Sequence, residues 1–406
     1  MISYEDALTL LTAHCTTLDS HELPLPACSH RVLANDFRAP HDLPPTTTAA
    51  MDGYALRAAD VANASHQHPA TLTLIDTAAA GHPSSLCVTP GTCIAIMTGA
   101  ELPPGADAVV HLEATQRNDT TVRVTTPVPP GTFIRPRGAE ARAGHLLLPA
   151  GHTLTPASLG LAARCGRASL RVVRRPRVAC VLTGDEIAPP GAPLQPGQQY
   201  DAIGPALSAA LSHDGGELVK CSYAPDDPDS LTAQLAPVID HVDVLLVVAG
   251  ASVGAHDYTR TAFQRLSVNQ IFWQVAIKPG KPLWFGVHGS TLVFNLPGNP
   301  VSALVTYYLF VRYALRRLQG IPASDAQLPQ MPAMLVGSPL ENTDERLEFV
   351  RATLQHTPTH LTARPLPARC SSMLSSLANA NALIICPPHT HLDVGSAVRA
   401  LLLPGY

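Results

Sequence analysis

Lysine is nearly missing from this chain. Of 27 basic residues only Lys220, Lys278 and Lys281 are lysines, and charged residues of both signs make up 14% of the sequence, with a net charge of -4. A surface so poor in cations cannot neutralise a phosphate backbone, which argues against a nucleic-acid partner. Long apolar runs are missing too. Stretches such as Val244 to Ala249 fall far short of the roughly 20 residues needed to span a bilayer, so no membrane partner is expected. The start, Met1-Ile2-Ser3-Tyr4-Glu5-Asp6, is acidic and lacks a signal-peptide pattern, so the expected location is cytoplasmic. No C-x-x-C occurs, and the nine cysteines are odd in number and widely spaced. That excludes a disulfide framework or a structural zinc site and leaves reduced, mostly buried thiols. Aromatics reach only 5%, so the cores must rest on Leu, Val, Ile and Ala. Neither G-x-x-x-x-G-K-[ST] nor G-x-G-x-x-G is present, which removes the two commonest glycine-rich phosphate loops.

What is present is enough for several cores. Hydrophobic residues are 46% of 406, a length that points to roughly two to four domains. Residues 4–15 have helical apolar spacing, followed by an extended stretch with prolines to Pro40. Short Val/Ile/Leu runs, including Ala108 to Leu112 and Thr120 to Val128, predict a β-rich domain over 41–131. Residues 132–170 read as mixed strand and helix, with a helix near Ala157 to Ala163. This piece is expected to pack on the N-terminal helix, so that 1–40 and 132–170 form one α+β domain split by the β insertion.

From 171 to 320 the rhythm changes. Strands are predicted at Arg177–Leu182, Glu217–Tyr223, Asp243–Ala249 and Thr291–Leu296, separated by helices at Gly204–Ser212, Asp229–Asp240, Asp257–Leu266 and Pro300–Leu318. Strands without internal alternation are buried on both faces, and their succession with helices predicts a doubly wound α/β domain. Residues 321–406 begin in a proline-rich linker and continue in short strands, Phe349–Leu354, Ala382–Cys386 and Val398–Leu403, predicting a small β-barrel or sandwich. The fold class is therefore α/β plus β, in several domains.

Ligands of an open α/β sheet bind beyond the carboxyl ends of its strands, and four segments fall there. Leu182-Thr183-Gly184-Asp185-Glu186 carries a hydroxyl, a glycine turn and two carboxylates; at a phosphate site such carboxylates imply Mg²⁺, and elsewhere they are capping acids. Ala249-Gly250-Ala251-Ser252-Val253-Gly254-Ala255-His256-Asp257 offers backbone N–H groups to an anion, with Asp257 either a helix cap or a metal ligand and His256 a loop residue. Ile277-Lys278-Pro279-Gly280-Lys281-Pro282 sets two cations around a Pro-Gly turn. In Leu296-Pro297-Gly298-Asn299-Pro300-Val301-Ser302, Asn299 fits an N-cap and Pro300 the first helical position, and the helix start is suited to an anion. Together they describe a pocket for a phosphorylated ligand and a divalent metal.

These segments, with Ala49-Ala50-Met51-Asp52-Gly53-Tyr54-Ala55 and Met97-Thr98-Gly99-Ala100, resemble the molybdopterin molybdenumtransferase family, MoeA and the gephyrin E domain, over nearly the whole chain. The resemblance implies four domains, with 171–320 as the molybdopterin-binding domain. It also implies a homodimer with shared active sites, and a Mg²⁺-dependent reaction that inserts molybdenum from molybdate into adenylylated molybdopterin and releases AMP. By position it assigns Glu186, Asp226 and Asp257 to metal, molybdate and the reacting phosphate. Lys278 and Lys281 fall among the catalytic residues, and Thr183, Gly184, Asp185, Gly250, Ser252, Gly254, Pro297, Gly298, Asn299 and Ser302 line the substrate. Asp52 and Thr98 would come from the partner subunit, and Arg351 and Ser371 from the last domain. Contacts with other cofactor-assembly proteins are implied as well. The chain departs from the family pattern at Glu140, Ala202, Ile203, Ala249 and Gln274, the last of which removes a cation. A paralogue that binds molybdopterin as a carrier or scaffold without turnover is the alternative.

Overall fold

The computed structural model describes residues 1–249, 258–367 and 370–405. The chain divides into two compact units, one of residues 1–35, 150–159 and 168–406, the other of residues 36–149 and 160–167. The four-way division expected from the sequence is finer than these two units and remains a proposal.

The larger unit is built on a six-stranded sheet in the order Glu217–Ala224, Arg177–Thr183, Val244–Ala249, Thr291–Pro297, Trp284–His288 and Asn269–Trp273. The first four strands are parallel, and Trp284–His288 runs antiparallel to both of its neighbours. Arg177–Thr183 is buried from its second residue on and Thr291–Pro297 throughout, because apolar side chains on both faces are covered. On one face Val178, Cys180 and Leu182 pack with Leu207 and Leu211 of helix Ile203–His213 and with Val301 and Val305. On the other, Ala179, Val181 and Val247 meet Leu231 and Leu235 of helix Pro228–Ile239 and Phe263 of helix Tyr258–Arg265. The chain runs outward from Arg177–Thr183, the second strand, to the edge strand Glu217–Ala224 and then returns past its starting strand to Val244–Ala249. The carboxyl ends of these two strands, Thr183 and Ala249, therefore mark the switch point where α/β sheets bind ligands. The antiparallel pair Asn269–Trp273 and Trp284–His288 was not anticipated. It extends the sheet by a hairpin whose turn region contains both Lys278 and Lys281.

The helix Tyr4–His14 makes its contacts in this unit. Tyr4 lies edge-on to Phe310 and Phe349, and the Thr12 and Tyr313 hydroxyls are 2.6 Å apart. Residues 330–402 form a barrel: Leu347–His356, Leu361–Pro365, Gln330–Leu335, Ala397–Leu402 and Ala382–Cys386 pair in turn, and the last closes onto the first. Leu335, Val350, Ala363 and Ile384 fill it. The short strand Ile277–Lys278 adds to Leu347 and Glu348 at the barrel's edge, which ties the lysine turn to the last domain.

The smaller unit holds a mixed six-stranded sheet in the order Ala108–His111, Gly53–Leu56, Thr92–Ile96, Ala70–Ala78, Thr121–Val124 and Thr115–Asn118. Gly53 is required there, since a Cβ would lie 1.8 Å from the Val110 carbonyl oxygen. No helix among the described residues is long and apolar enough to cross a membrane. All nine cysteines are free; Cys87, Cys221 and Cys370 are exposed and the other six buried, as their expected role requires.

Candidate functional site

A cavity of about 650 Å³ opens at the carboxyl edge of the α/β sheet, and its lining includes Thr183, Glu186, Asp201, Pro297, Gly298 and Asn299. Five of these six were singled out from the sequence. They arrive together because Thr183 ends the strand Arg177–Thr183, while Pro297 ends the strand next but one, paired with Ala249.

The Thr183 hydroxyl is buried, 3.0 Å from the Tyr258 hydroxyl and 3.4 Å from the Val248 carbonyl oxygen. Burial pushes the Tyr258 phenol well above its ordinary range, and a hydrogen bond to Asp226 and the charge of Glu186 push it further. Tyr258 therefore stays protonated and donates to the Asp226 carboxylate. The Asp226 backbone N–H in turn points at the Asp185 carboxylate, 3.4 Å away. Two loops from separate strands are thus drawn together around one phenol. Asp227, not Asp226, caps helix Pro228–Ile239, accepting from the Ser230 N–H at 2.7 Å, so Asp226 is released from capping. Asp201 closes the opposite wall: it accepts from the N–H groups of Ile203 and Gly204 at 2.8 and 2.9 Å and from Tyr223 at 2.9 Å. Burial, then Asp201, push the Tyr223 phenol up to about 12.

Asn299 takes the N-cap position of helix Pro300–Thr306 with Pro300 at the first turn, but its side chain makes no capping bond and it lines the cavity instead. The Val301 N–H, one of the donors expected to face an anion, is taken by the Ser371 carbonyl oxygen at 3.1 Å. Ser371 therefore acts here through its backbone, holding the 370–374 loop over the helix start. Arg351 is buried, and its Nη2 donates to the Cys370 carbonyl oxygen at 3.4 Å, supporting the same loop. Ser302 is buried within the helix, with its carbonyl oxygen accepting from Thr306 at 2.8 Å.

The two lysines differ. Lys278 lies 3.4 Å from the buried Glu348 carboxylate, which offsets part of its charge. Lys281 is exposed, without an ion pair among the described residues, and immediately precedes Pro282 of the cavity wall. In the smaller unit the register Gly53 opposite Ile96 sets Asp52 beside Thr98. The Asp52 Oδ1 accepts from the Thr98 N–H at 2.6 Å and from its hydroxyl at 2.7 Å, and these bonds hold the carboxyl below its ordinary range.

Gly250, Ser252, Gly254, His256 and Asp257 lie outside the described residues. Among the described residues no three His, Cys, Asp or Glu side chains form a ready metal cage. Glu186 and Asp226, both exposed, still fit Mg²⁺ in donor chemistry, since that ion commonly takes one or two carboxylates and completes its shell with water and substrate phosphate. Tyr258, Asp201 and Glu348 were missed as site residues. Tyr258 had a signal in its place directly after Asp257 at a strand-to-helix junction, and Asp201 had one at the head of the Asp201-Ala202-Ile203 segment, a family motif position.

Residues 2–166 match the MoeA N-terminal region (domain I and II), residues 179–317 the "Probable molybdopterin binding domain", and residues 335–403 the MoeA C-terminal region (domain IV). The chain belongs to the MoeA family. It is 38% identical over 374 residues, 90% of each chain, to molybdopterin molybdenumtransferase 2 of Mycobacterium tuberculosis. It is 33% identical over 381 residues to the molybdopterin molybdenumtransferase of Bacillus subtilis, covering 92% of this chain and 87% of that one. The crystal structure of the molybdopterin biosynthesis moeA protein from Pyrococcus horikoshii OT3 superposes with a TM-score of 0.86 at 28% identity, over 99% of this chain and all of the other. Most of the residues that line the α/β cavity thus fall in the segment that matches the probable molybdopterin binding domain.

Proposed function

We propose that this MoeA-family chain is a molybdopterin molybdenumtransferase of molybdenum-cofactor biosynthesis. In this reading it takes adenylylated molybdopterin and molybdate, inserts the molybdenum, and releases AMP. The observation that carries the reading is the single cavity in which Thr183 and Glu186 face Pro297, Gly298 and Asn299.

The residues divide the work by charge. Lys281 and the Asn299 amide receive anionic groups of the substrate, phosphate or molybdate, and offset charge as the phosphoanhydride opens. Tyr258, kept protonated, fixes Asp226 by hydrogen bonding, and Glu186 and Asp226 are the described residues that would hold Mg²⁺. That ion, when bound, supplies Lewis-acid polarisation of a phosphoryl oxygen. Glu348 restrains Lys278 from behind, so the lysine turn presents a fixed rather than a swinging cation.

Incubation with adenylylated molybdopterin, molybdate and Mg²⁺ tests the reading. AMP release together with active cofactor is the expected result; binding without AMP release defeats it.

The protein is further proposed to act as a cytoplasmic homodimer in which Asp52 and Thr98 serve the partner's cavity. The support is an exposed, mutually hydrogen-bonded pair in a unit that lacks the α/β cavity residues. Mixing inactive Asp52→Asn and Glu186→Gln subunits is expected to restore part of the activity. Confirmed mixed dimers that stay inactive place each site within one chain.

A further inference from the structure

Cys180 and Cys221 are direct partners across the parallel strands Arg177–Thr183 and Glu217–Ala224. They also share a face. Lys220 and Ser222 turn toward Gln234 of helix Pro228–Ile239, and strand alternation sends Cys221 the other way, as it does Tyr223, whose hydroxyl reaches Asp201. Cys180 packs on that same side with Val178, Leu182, Ile203 and Leu207. Neighbouring strands lie about 4.8 Å apart, and disulfides form across Cα separations of about 4.4–6.8 Å. The pair can therefore be bridged without moving the backbone far.

The two thiols are unequal. Cys180 is buried, whereas Cys221 is exposed on the outermost strand of the sheet. A hydrogen bond from Cys180 stabilises the Cys221 thiolate and brings its pKa down to about 7, against the opposing pull of burial and of Asp201. Burial pushes Cys15 and Cys93 to about 12, so those thiols stay inert. An accessible thiolate beside a second thiol is the arrangement of a redox-active dithiol.

We propose that Cys180 and Cys221 are a site of reversible oxidation by hydroperoxides, with Cys221 as the attacking sulfur. The Cys221 thiolate takes one oxygen from the hydroperoxide, the O–O bond breaks, and the departing alkoxide or hydroxide picks up a proton. Cys221 is then a sulfenic acid. The Cys180 thiol attacks that sulfur, the S–S bond forms, and the hydroxyl leaves as water with the Cys180 proton. The dithiol has lost two electrons and the hydroperoxide has gained them; two equivalents of an external thiol, or one dithiol, return the electrons by thiol–disulfide exchange and leave as a disulfide. None of this depends on the cavity chemistry.

Hydrogen peroxide treatment of the full-length protein, followed by alkylation and non-reducing peptide mapping, tests the proposal. A peptide pair linked through Cys180 and Cys221 is expected to form before the exposed Cys87 and Cys370 are consumed, and dithiothreitol is expected to release it. In untreated protein, iodoacetamide labelling of Cys221 should reach half-maximal rate at a lower pH than in the Cys180→Ala variant, since Cys180 lowers the Cys221 thiol. The variant Cys180→Ala should slow that labelling at neutral pH by about tenfold or more, because thiolate supply sets the rate. Failure of the linked peptide to form overturns the proposal, whether the pair stays reduced while Cys87 or Cys370 oxidises or Cys221 passes to sulfinic acid alone. The exposed-strand variant Cys221→Ser, which leaves the core untouched, should abolish the linked peptide.

Discussion

The Glu186 carboxylate folds back over the α-carbon of Gly184. A Cβ at position 184 would lie 2.9 Å from both Glu186 oxygens and 2.9 Å from Ile187 Cγ1, and Gly184 has φ +142. Only glycine fits both the backbone conformation and the space. Gly184→Ala is therefore expected to move the carboxylate out of place and to cost about 1–3 kcal/mol of stability through backbone strain. Thermal unfolding and AMP release measured on the same preparation check this. The expected result is a folded enzyme with activity reduced far more than its melting temperature explains.

Gly280 plays the matching part for the lysine turn. A Cβ there would lie 2.5 Å from Thr306 Cγ2 and 3.0 Å from Ile277 Cδ1, at φ +112, and Thr306 is fully buried. Gly280→Ala is expected to destabilise by about 1–3 kcal/mol, the usual cost of overpacking, and to shift Lys278 and Lys281 away from helix Pro300–Thr306. Thr306→Ser removes the clashing methyl and keeps a hydroxyl for Ser302 and Ala303. The double variant should regain part of the lost stability in denaturant titration. A purely additive loss would separate the turn from the helix.

Hydrogen bonds from Arg346 hold the Asp344 carboxyl well below the usual carboxylate range, with a smaller contribution from the charge of Lys278. A folded pKa depressed in this way adds stability that is complete above the unfolded value of about 4 and is lost as pH falls toward the folded one. Asp344→Asn should lower the melting temperature by a constant amount from neutral pH down to about pH 5, and the gap should close below about pH 4. A gap independent of pH means that the pair contributes nothing through charge.

Much of this was legible in the residues themselves. Arg177–Thr183, Val244–Ala249 and Thr291–Pro297 are apolar on both faces, which announces a covered parallel strand, and the helices between them were placed within a residue or two. Asn269–Trp273 and Trp284–His288 escaped notice because the hairpin is interrupted by the Lys-Pro-Gly-Lys-Pro turn and its edge strand is half exposed. The N-terminal helix was read correctly as a helix, but its docking on Phe310, Tyr313 and Phe349 depends on partners some 300 positions away, which spacing does not encode. The cavity followed from knowing where strands end. Its supporting residues did not: Glu348 reaches Lys278 only because a two-residue strand joins the barrel, and Asp201 meets Tyr223 only through the pairing of the edge strand. Asn299 shows the limit of local rules, since its position was foreseen while its amide caps nothing.

The most direct measurement compares wild-type and Glu186→Gln protein in single-turnover AMP release from adenylylated molybdopterin, with binding followed separately by ligand fluorescence. If the carboxylate acts in cleavage rather than in recognition, the variant binds as tightly as wild type and releases AMP about 100-fold more slowly or worse. A variant that releases AMP at the wild-type rate contradicts the account.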